Sequence, residues 1–381
     1  MLLTQEHKEL ARSLQALIDT EINPYIDEWE EAEAYPAHEV FKKLANMGFL
    51  GIGKPEEFGG MGLDYSYEAI ASETLGYIKC GGVAMSIGVQ TNMATPALAR
   101  YGSDDLRHEF LAPSISGDMV GAIGVTEADA GSDVASLKTT ARKDGDDYVI
   151  NGAKMFITNG MQADWMCCLC NTGDGPVHKN KSLIIVPLNS PGITRHKIRK
   201  IGMMSSDTAQ IFLDDVRVPQ RNLIGEEGMG FIYQMKQFQE ERLFAAARGP
   251  RVVEEAIRET IEYTSNRKAF GRSILDNQVV HFRLAELQTE AEALRALTWS
   301  AVEQYVAGED VTKLASMAKL KVGRLQREAM DACLQFWGGH GYVWESIIAR
   351  RYRDFRLTSI GGGTDEVMLQ VISKLMGIAP K

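Results

Sequence analysis

The residues whose types and spacing could do chemistry lie first in two segments rich in small side chains, residues 125–133 and 156–160. Thr126, Ser132 and Thr158 supply hydroxyl groups, and the phenylalanine that opens the second segment supplies a flat apolar wall. Glycines in both segments let the backbone approach a bulky ligand closely. This mixture suits a planar heteroaromatic ring with a polar tail, so a flavin nucleotide fits it better than a metal ion or a peptide does.

The elements that must position these segments fall into three blocks. Residues 1–118 carry apolar side chains at helical spacing. Residues 119–225 change to short strand-like runs with turn signals, and helical spacing returns over residues 226–381. We therefore predict a mainly α fold with a central β domain: an N-terminal helical domain, an antiparallel β domain that binds the flavin, and a C-terminal four-helix bundle.

Turn signals place the strands of the β domain. Asp144-Gly145 and Asn151-Gly152 each predict a hairpin turn, with a short strand between them. Further strand-like runs lie at residues 182–186, 210–213 and 216–218. Too few helical stretches alternate with these strands for a parallel sheet, so we expect an antiparallel one.

The C-terminal block carries an apolar seam and three glycine-rich turns. The seam recurs by four and three residues, as in helix bundles, at Val280, Leu284, Leu287, Ala291 and Leu294. Residues 225–230 have dinucleotide-like glycines but follow no βα unit, so they predict a turn that launches a long helix. Residues 335–342 interrupt the bundle, and residues 361–366 open the last helix.

Composition and charge argue against several classes of protein. A net charge of −10 with no concentrated basic face disfavours a nucleic-acid partner. No apolar run approaches the about 20 residues that span a bilayer, and the amino terminus has no basic, apolar leader, so we expect a cytoplasmic protein. Cys167 and Cys170 form a C-x-x-C pair, but no second pair or histidine stands at zinc-ligand spacing. Residues 165–170 instead predict a buried strand, and we expect no metal site.

Several ordered motifs resemble those of the acyl-CoA dehydrogenase family. Residues 125–133 are similar to the family's flavin-binding TEPxAGSD motif, with Ala-Asp where proline often stands, and residues 156–160 resemble its W/F-I-T-N-G segment. Residues 267–272 with Gln278 resemble its R-x-x-F-G…Q stretch, and residues 335–339 resemble Q-x-x-G-G. Together with the domain order, these matches identify the chain as a member of this family over nearly its whole length.

The resemblance implies FAD held at a subunit interface of a homotetramer. In the β domain, the implied cofactor-binding residues are Ile123, Val125, Thr126, Ser132, Phe156 and Thr158. The residues implied to reach the nucleotide part of a neighbouring subunit's FAD are Arg267, Phe270, Gln278, Gln335, Gly338 and Gly339. The start of the last helix, at Thr364 and Glu366, offers free N–H groups and a positive dipole end to a pyrophosphate.

The implied reaction needs a carboxylate base, but this chain has no carboxylate at the position where the family usually carries it. In much of the family a glutamate stands just before the Gly-Thr that opens the last helix, where this chain has Gly362. In a minority branch, the isovaleryl- and long-chain-type enzymes, the base comes from the bundle, immediately before an arginine. Glu241 followed by Arg242 matches that position.

Helix geometry favours the same glutamate. Adjacent helical residues point about 100° apart, so Glu240 and Glu241 cannot serve one pocket equally. Glu241 has Phe238 and Phe244 as turn neighbours, whereas Glu240 has a wetter setting. Apolar surroundings would raise the pKa of the Glu241 carboxyl toward the working range, and Arg242 would lower it. We predict Glu241 as the base, and a structure is needed to separate it from its neighbour.

The implied function is α,β-dehydrogenation of an acyl-CoA to the trans-2-enoyl-CoA in fatty-acid β-oxidation or branched-chain catabolism. Glu241 would abstract the α-proton, flavin N5 would take the β-hydride, and an electron-transferring flavoprotein would receive the electrons. Ser132 and Arg242 are candidate substrate contacts, and the backbone at Gly362 and Gly363 could hold the thioester carbonyl. The small glycines could also admit long or branched chains. An acyl-CoA oxidase and a non-catalytic acyl-CoA- or flavin-binding protein stay open as alternatives.

Overall fold

Helices form the first block, as its apolar spacing predicts. In the computed structural model the described chain runs from residue 3 to residue 379. Its amino-terminal α-helices are α1 (Gln5–Leu17), α2 (Ile26–Glu31), α3 (Ala37–Ala45), α4 (Tyr65–Thr74), α5 (Gly81–Gly88), α6 (Thr95–Tyr101), α7 (Asp104–Leu106) and α8 (Ala112–Ile115). A π-helical stretch, Val89–Ala94, joins α5 to α6. Such wider turns inside helices often lie at functional sites.

A sheet follows the helices. Its strands are β1 (Gly121–Gly124), β2 (Thr140–Asp144), β3 (Asp147–Thr158), β4 (Trp165–Asn171), β5 (Lys181–Pro187), β6 (Ile193–Lys197), β7 (Thr208–Pro219) and β8 (Leu223–Ile224). Their order is β6-β7-β3-β2-β4-β5-β8, and β1 pairs with β4 beside that path. The predicted antiparallel pairing is confirmed for most neighbours, while β1–β4 and the single-pair contact of β2 with β4 are parallel.

One of the two predicted hairpin turns is confirmed and the other is wrong. Asp144-Gly145 lies in the turn between β2 and β3, but Asn151-Gly152 lies inside β3. A Cβ on Gly152 would come within 2.4 Å of the Thr139 hydroxyl oxygen, so glycine there permits a close approach within the sheet. Asn151 donates to the Asp215 carboxylate over 2.9 Å, which uses its side chain across strands rather than in a turn.

The predicted buried strand around the cysteines is confirmed as β4. Cys167, Cys168 and Cys170 are fully buried, and they behave as small apolar side chains. All the cysteines of the chain are free thiols. In the described residues no group of three or more His, Cys, Asp or Glu side chains could hold a metal ion.

The carboxyl-terminal block is built on one long helix. The remaining elements are α9 (Gly230–Asn266), the two-stranded ribbon β9 (Lys268–Ala269) and β10 (Arg272–Ser273), α10 (Gln278–Val306), α11 (Thr312–Trp337), α12 (Ile347–Phe355) and α13 (Asp365–Leu375). The predicted seam residues of α10 are all buried. Gly249 lets α9 approach α11 closely, because a Cβ there would lie 2.1 Å from Val322 Cγ2. No helix in residues 3–379 is both long and apolar enough to cross a membrane.

Candidate functional site

The loop after β1 and the end of β3 lie side by side. The Met155 N–H donates to the Thr126 carbonyl over 2.8 Å. The next residue, Phe156, has a φ of 60° and a side chain that is 61% exposed. A bulky residue held in the left-handed region is strained, and such strain clusters at binding sites. Thr158 pairs with Thr208 on β7, so both hydroxyl-bearing segments meet at one end of the sheet.

A buried ion pair anchors this loop. Lys154 on β3 is fully buried, and its ammonium donates to Glu127 over 2.8 Å and to the Leu169 carbonyl over 2.8 Å. The Glu127 carboxylate also accepts from the N–H groups of Lys138 and Thr139. Burial would raise the pKa of Glu127, but the Lys154 charge and these hydrogen bonds outweigh it and lower that pKa. The buried ion pair of Lys154 with Glu127 therefore fixes the loop after β1 against β3 and β4.

The other predicted flavin contacts of the β domain sit around this loop. Ile123 is on β1 and pairs with Cys167 of β4. Val125 is largely buried where β1 ends, and Ser132 is exposed on the outer part of the loop. The structure thus brings Ile123, Val125 and the end of β3 together, and it leaves Ser132 toward solvent.

Glu241 lies in a polar notch on α9. Its Oε1 accepts hydrogen bonds from the side-chain amides of Gln234 over 2.9 Å and Gln237 over 3.1 Å. Gln237 also donates to the Met93 carbonyl in the π-helical stretch. Burial raises the pKa of Glu241 to about 7, although both amides and Arg242 act to lower it. The prediction from apolar turn neighbours did not include the two glutamines on the same helical face, which are the hydrogen-bond donors to the carboxylate.

The expected wet setting of Glu240 is wrong. Its side chain is deeply buried, at 1% exposure for the residue, and it is bound by the Arg100 guanidinium and the Tyr305 hydroxyl. The Tyr65 hydroxyl donates to its backbone carbonyl over 3.1 Å. These partners come from three other helices, so the neighbours of Glu240 on its own helix could not reveal them. Glu240 therefore has a structural role. In Glu241, by contrast, Oε1 is the carboxylate oxygen that accepts hydrogen bonds from the described residues, and Oε2 is left for another partner.

Unpaired polar atoms surround Glu241. Arg242 is buried, and one of its terminal nitrogens donates to the Ser316 hydroxyl over 3.3 Å. Arg242 Nε and the amide oxygens of Gln234 and Gln237 are buried with no partner in the described chain. Buried polar groups are normally satisfied, so these three orphans are candidates for hydrogen bonds to a polar ligand.

Gly362 and Gly363 form an open backbone segment between α12 and α13. Their φ values are 65° and 95°, a region that favours glycine. Neither N–H donates a hydrogen bond to another group of residues 3–379. Lys319 holds this segment from α11, since its ammonium donates to the carbonyls of Thr358 and Gly363. Free backbone donors of this kind can stabilise developing negative charge on a carbonyl oxygen.

A separate cleft of about 420 Å³ gathers several predicted nucleotide contacts. Arg267, Gly338 and Gly339 line it together with Trp337, whose ring stacks on Tyr263 at 4.3 Å. The Arg267 guanidinium has no hydrogen-bond or ion-pair partner among the described residues. A free cation beside stacked rings suits a phosphate-bearing aromatic ligand.

The remaining predicted nucleotide contacts lie outside that cleft. Phe270 is fully exposed at the tip of the β9–β10 ribbon, where its φ is 52°. Gln278 begins α10 and is exposed, as is Gln335 near the end of α11. None of these three side chains is shown in contact with the cleft, so their predicted roles would require another surface to be placed against them.

The start of α13 is occupied by its own side chains. The Thr364 hydroxyl caps the helix by accepting from the Val367 N–H over 3.2 Å. Asp365 and Glu366 follow in the first turn, and negative groups there already complement the positive end of the helix dipole. The start of α13 is therefore a weaker candidate binding site for a pyrophosphate than the sequence alone indicates.

The residues missed from sequence are mostly polar side chains in buried faces. Gln234, Gln237 and Glu241 stand at i, i+3 and i+7 on α9, a polar stripe that the spacing could have revealed. Lys154 places a charge on the face of β3 that buries Tyr148 and Ile150, which is a second available signal. Lys319 gives no sequence signal, since a lone lysine in a helix is usually exposed.

Comparison with known proteins gives consistent matches over the whole chain. Models of acyl-CoA dehydrogenases match in order: the N-terminal domain over residues 4–118, the middle domain over 122–216 and the C-terminal domain over 228–377. The mitochondrial long-chain specific acyl-CoA dehydrogenase of Sus scrofa is 36% identical over 377 residues, covering 98% of this chain and 87% of that protein.

Solved structures share the architecture. A probable acyl CoA dehydrogenase from Mycobacterium abscessus is 38% identical with a TM-score of 0.94, covering 98% of this chain and 99% of its own. A chain in the structure described as the electron transferring flavoprotein of Acidaminococcus fermentans is 31% identical with a TM-score of 0.94, covering 99% of both chains. The predicted order of helical, β and helical regions is thereby confirmed.

Proposed function

This chain belongs to the acyl-CoA dehydrogenase family, whose members are flavoprotein oxidoreductases, and we propose that Glu241 is its catalytic base. The carrying observation is a buried carboxyl with a pKa raised to about 7, beside an arginine and three unpaired polar atoms. A base with a pKa near the operating pH combines the correct charge state with useful basicity. A non-catalytic binding protein would have no need of such a group.

The residues present fit FAD at two places. The strained, exposed Phe156 and the adjoining Thr126 and Thr158 suit the ring system, and the cleft with the free Arg267 suits a nucleotide part. FAD, when bound, supplies the acceptor for the β-hydride of the substrate.

The side chains of the site divide the remaining work. Both glutamine amides hold Oε1 of Glu241, so Oε2 is the oxygen that would receive the α-proton. The free N–H groups of Gly362 and Gly363 would polarise the thioester carbonyl and so lower the pKa of the α-proton. Arg242 has an unpaired Nε that would contact the acyl-CoA.

The length of α9 supports a shared site in an oligomer. Glu241 and Arg267 are 26 residues apart on essentially one helix, which at 1.5 Å per residue separates them by about 39 Å. One flavin dinucleotide is too short to serve both positions. We propose that Arg267 and the exposed Phe270 contact the FAD of a neighbouring subunit in a homotetramer, as exposed aromatic side chains are typical interface anchors.

Anaerobic titration with a panel of acyl-CoA thioesters tests the reaction. We expect the flavin absorbance to bleach, and reoxidation to require an electron-transferring flavoprotein. Peroxide formation in air without an added acceptor would instead establish an oxidase. The open space at Gly361 and Gly362, where an added Cβ would meet only ordinary contacts, leads us to expect turnover of long or branched chains. Turnover of short straight chains alone would contradict that part.

The pH dependence of kcat/KM should report Glu241. Because its pKa is raised to about 7 and only the carboxylate can accept the α-proton, kcat/KM should fall tenfold per pH unit below that value and level off above it. The measurement is a profile between about pH 5 and pH 9. Acyl-pantetheine thioesters serve as a control, since they lack the titrating CoA phosphate. A flat profile with them would contradict the assignment.

Removing the free cation in the nucleotide cleft should weaken FAD binding. Arg267→Ala is expected to raise the Kd for FAD about tenfold, as loss of a charge-assisted hydrogen bond to phosphate would. Equilibrium titration of the apoprotein with FAD gives the value. Arg217→Ala is the matched control, because Arg217 is an exposed arginine on β7 that pairs with Asp144 and Asp147. Equal effects of the two substitutions would rule out a specific role for Arg267.

A further inference from the structure

Lys319 is a buried lysine with backbone partners. It lies on α11 at 1% exposure, and its ammonium donates to the Thr358 carbonyl over 2.6 Å and to the Gly363 carbonyl over 2.9 Å. No carboxylate forms an ion pair with it in the described chain. Burying a lysine without an ion-pair partner is costly, and the nearby Asp365 carboxylate offsets only part of that cost, so we assign the two hydrogen bonds as its structural purpose. Burial lowers the pKa of Lys319 to about 8, and the neutral amine would still donate both bonds.

The segment it holds has few other restraints. The N–H groups of Ile360 and Gly361 donate to the Leu357 carbonyl, and the backbone hydrogen bonds of the turn end there. Gly362 is exposed, and a Cβ placed on it would meet only Lys319 Cε, at 3.7 Å. The two glycines have a wide choice of backbone conformations when unrestrained. Their observed conformation therefore depends on the Lys319 hydrogen bond to the Gly363 carbonyl.

The same face of α11 also holds the helix that carries Glu241. Ser316 lies three residues before Lys319, so both side chains project from one side of α11. Its hydroxyl accepts from Arg242, the residue after Glu241. Adjacent positions on one helix thus fix the glycine segment on one side and the base-bearing stretch of α9 on the other.

We propose that Lys319 is a positioning residue, which holds the free N–H groups of Gly362 and Gly363 in the orientation that binds the thioester carbonyl. This inference rests on the proposed function. Without the lysine the acyl-CoA would still bind through its many other contacts, but its carbonyl would be less polarised in the transition state. The loss should fall on kcat more than on KM.

The test compares Lys319→Met with wild type, both loaded with FAD. We expect kcat per bound flavin to drop about 10- to 100-fold, with KM changed by less than about threefold, as misplacement of catalytic groups produces. Lys319→Arg, which keeps a charged donor, should recover part of the rate. Lys321→Met is the matched control, because Lys321 lies two residues along α11 with an accessible side chain paired to Glu290.

Amide hydrogen exchange provides a readout that does not depend on turnover. The N–H groups of Ile360 and Gly361, which are hydrogen-bonded to the Leu357 carbonyl, should exchange at least about tenfold faster in Lys319→Met than in wild type, while the rest of α11 is unchanged. Unchanged exchange in this segment, or a wild-type kcat in Lys319→Met, would overturn the proposal. If that variant does not fold, Lys319→Gln is measured in its place, with a shorter side chain and the same criteria. If wild type dehydrogenates no acyl-CoA, the proposed function fails while the exchange result still decides the role of Lys319.

Discussion

Glu241→Gln is expected to lower the rate of flavin bleaching by acyl-CoA about 10²- to 10⁴-fold, the range that a positioned general base contributes. Glutamine keeps the shape of the side chain and can still accept from Gln234 and Gln237, so FAD and substrate should bind as before. Stopped-flow absorbance under anaerobic conditions measures the rate. Bleaching at the wild-type rate would show that another group removes the proton.

The same substitution should also make the protein more stable. The folded pKa of Glu241, about 7, is raised above the unfolded value of about 4.3, so the stability that its neutral form contributes is lost as pH rises through 7. Glutamine is neutral throughout and avoids that loss. At pH 8 the variant should gain on the order of 3–4 kcal/mol in the free energy of unfolding, and at pH 4 almost nothing. A higher melting temperature with lost activity would separate a catalytic defect from misfolding.

Glu240→Gln is the matched control for the base. Glu240 is bound by Arg100 and Tyr305, so its replacement weakens a buried ion pair and should destabilise the fold. Its effect on bleaching per bound flavin should stay within a few-fold. A large rate loss in this variant alone would transfer the proton-accepting role to Glu240.

Lys154→Met is expected to cost about 3–5 kcal/mol in stability and to yield protein with little flavin, because it leaves the buried Glu127 carboxylate without its cation. The 125–133 loop would then lose the charge that holds it against β3 and β4. Chemical denaturation and the flavin-to-protein absorbance ratio measure the two effects. A variant with normal flavin content would show that the loop is held by other contacts.

Two further variants sharpen that result. Lys181→Met replaces another buried lysine, whose ammonium donates to the Val177 carbonyl and the Asn180 side chain and pairs with no carboxylate among residues 3–379, and it should retain flavin. The double variant Lys154→Met with Glu127→Gln should be more stable than Lys154→Met alone, since no buried charge is left unpaired. Additive losses would show that the two side chains act independently.

Most of the fold could be predicted from local sequence patterns. The seam from Val280 to Leu294 predicted a buried helix face because helical period and burial are coupled within one segment. The hairpin turn predicted at Asn151-Gly152 was wrong, because the glycine is there to let Thr139 pack closely against β3 rather than to form a turn. A turn signal and a site of close strand approach can have the same two letters.

The site was less accessible from sequence than the fold. The chain neighbours of Glu240 could not show its burial, because Arg100 and Tyr305 reach it from α6 and α10. Lys319 gave no signal for the same reason, since its partners are carbonyl groups more than thirty residues away. The place of a buried charge depends on partners far away in the chain, whereas a buried apolar face can be predicted from the spacing of its own residues.

The unbroken course of α9 also restricts how the length of this chain can change. One inserted or deleted residue between Glu241 and Arg267 would turn the two side chains about 100° relative to each other and shift them by 1.5 Å. Neither position could be corrected without moving the other, because α9 runs from before Glu241 to the residue preceding Arg267 and Gly249 packs that helix closely against α11. Insertions and deletions should therefore be tolerated in the exposed turn between β4 and β5, residues 172–180, and rejected throughout this stretch of helix.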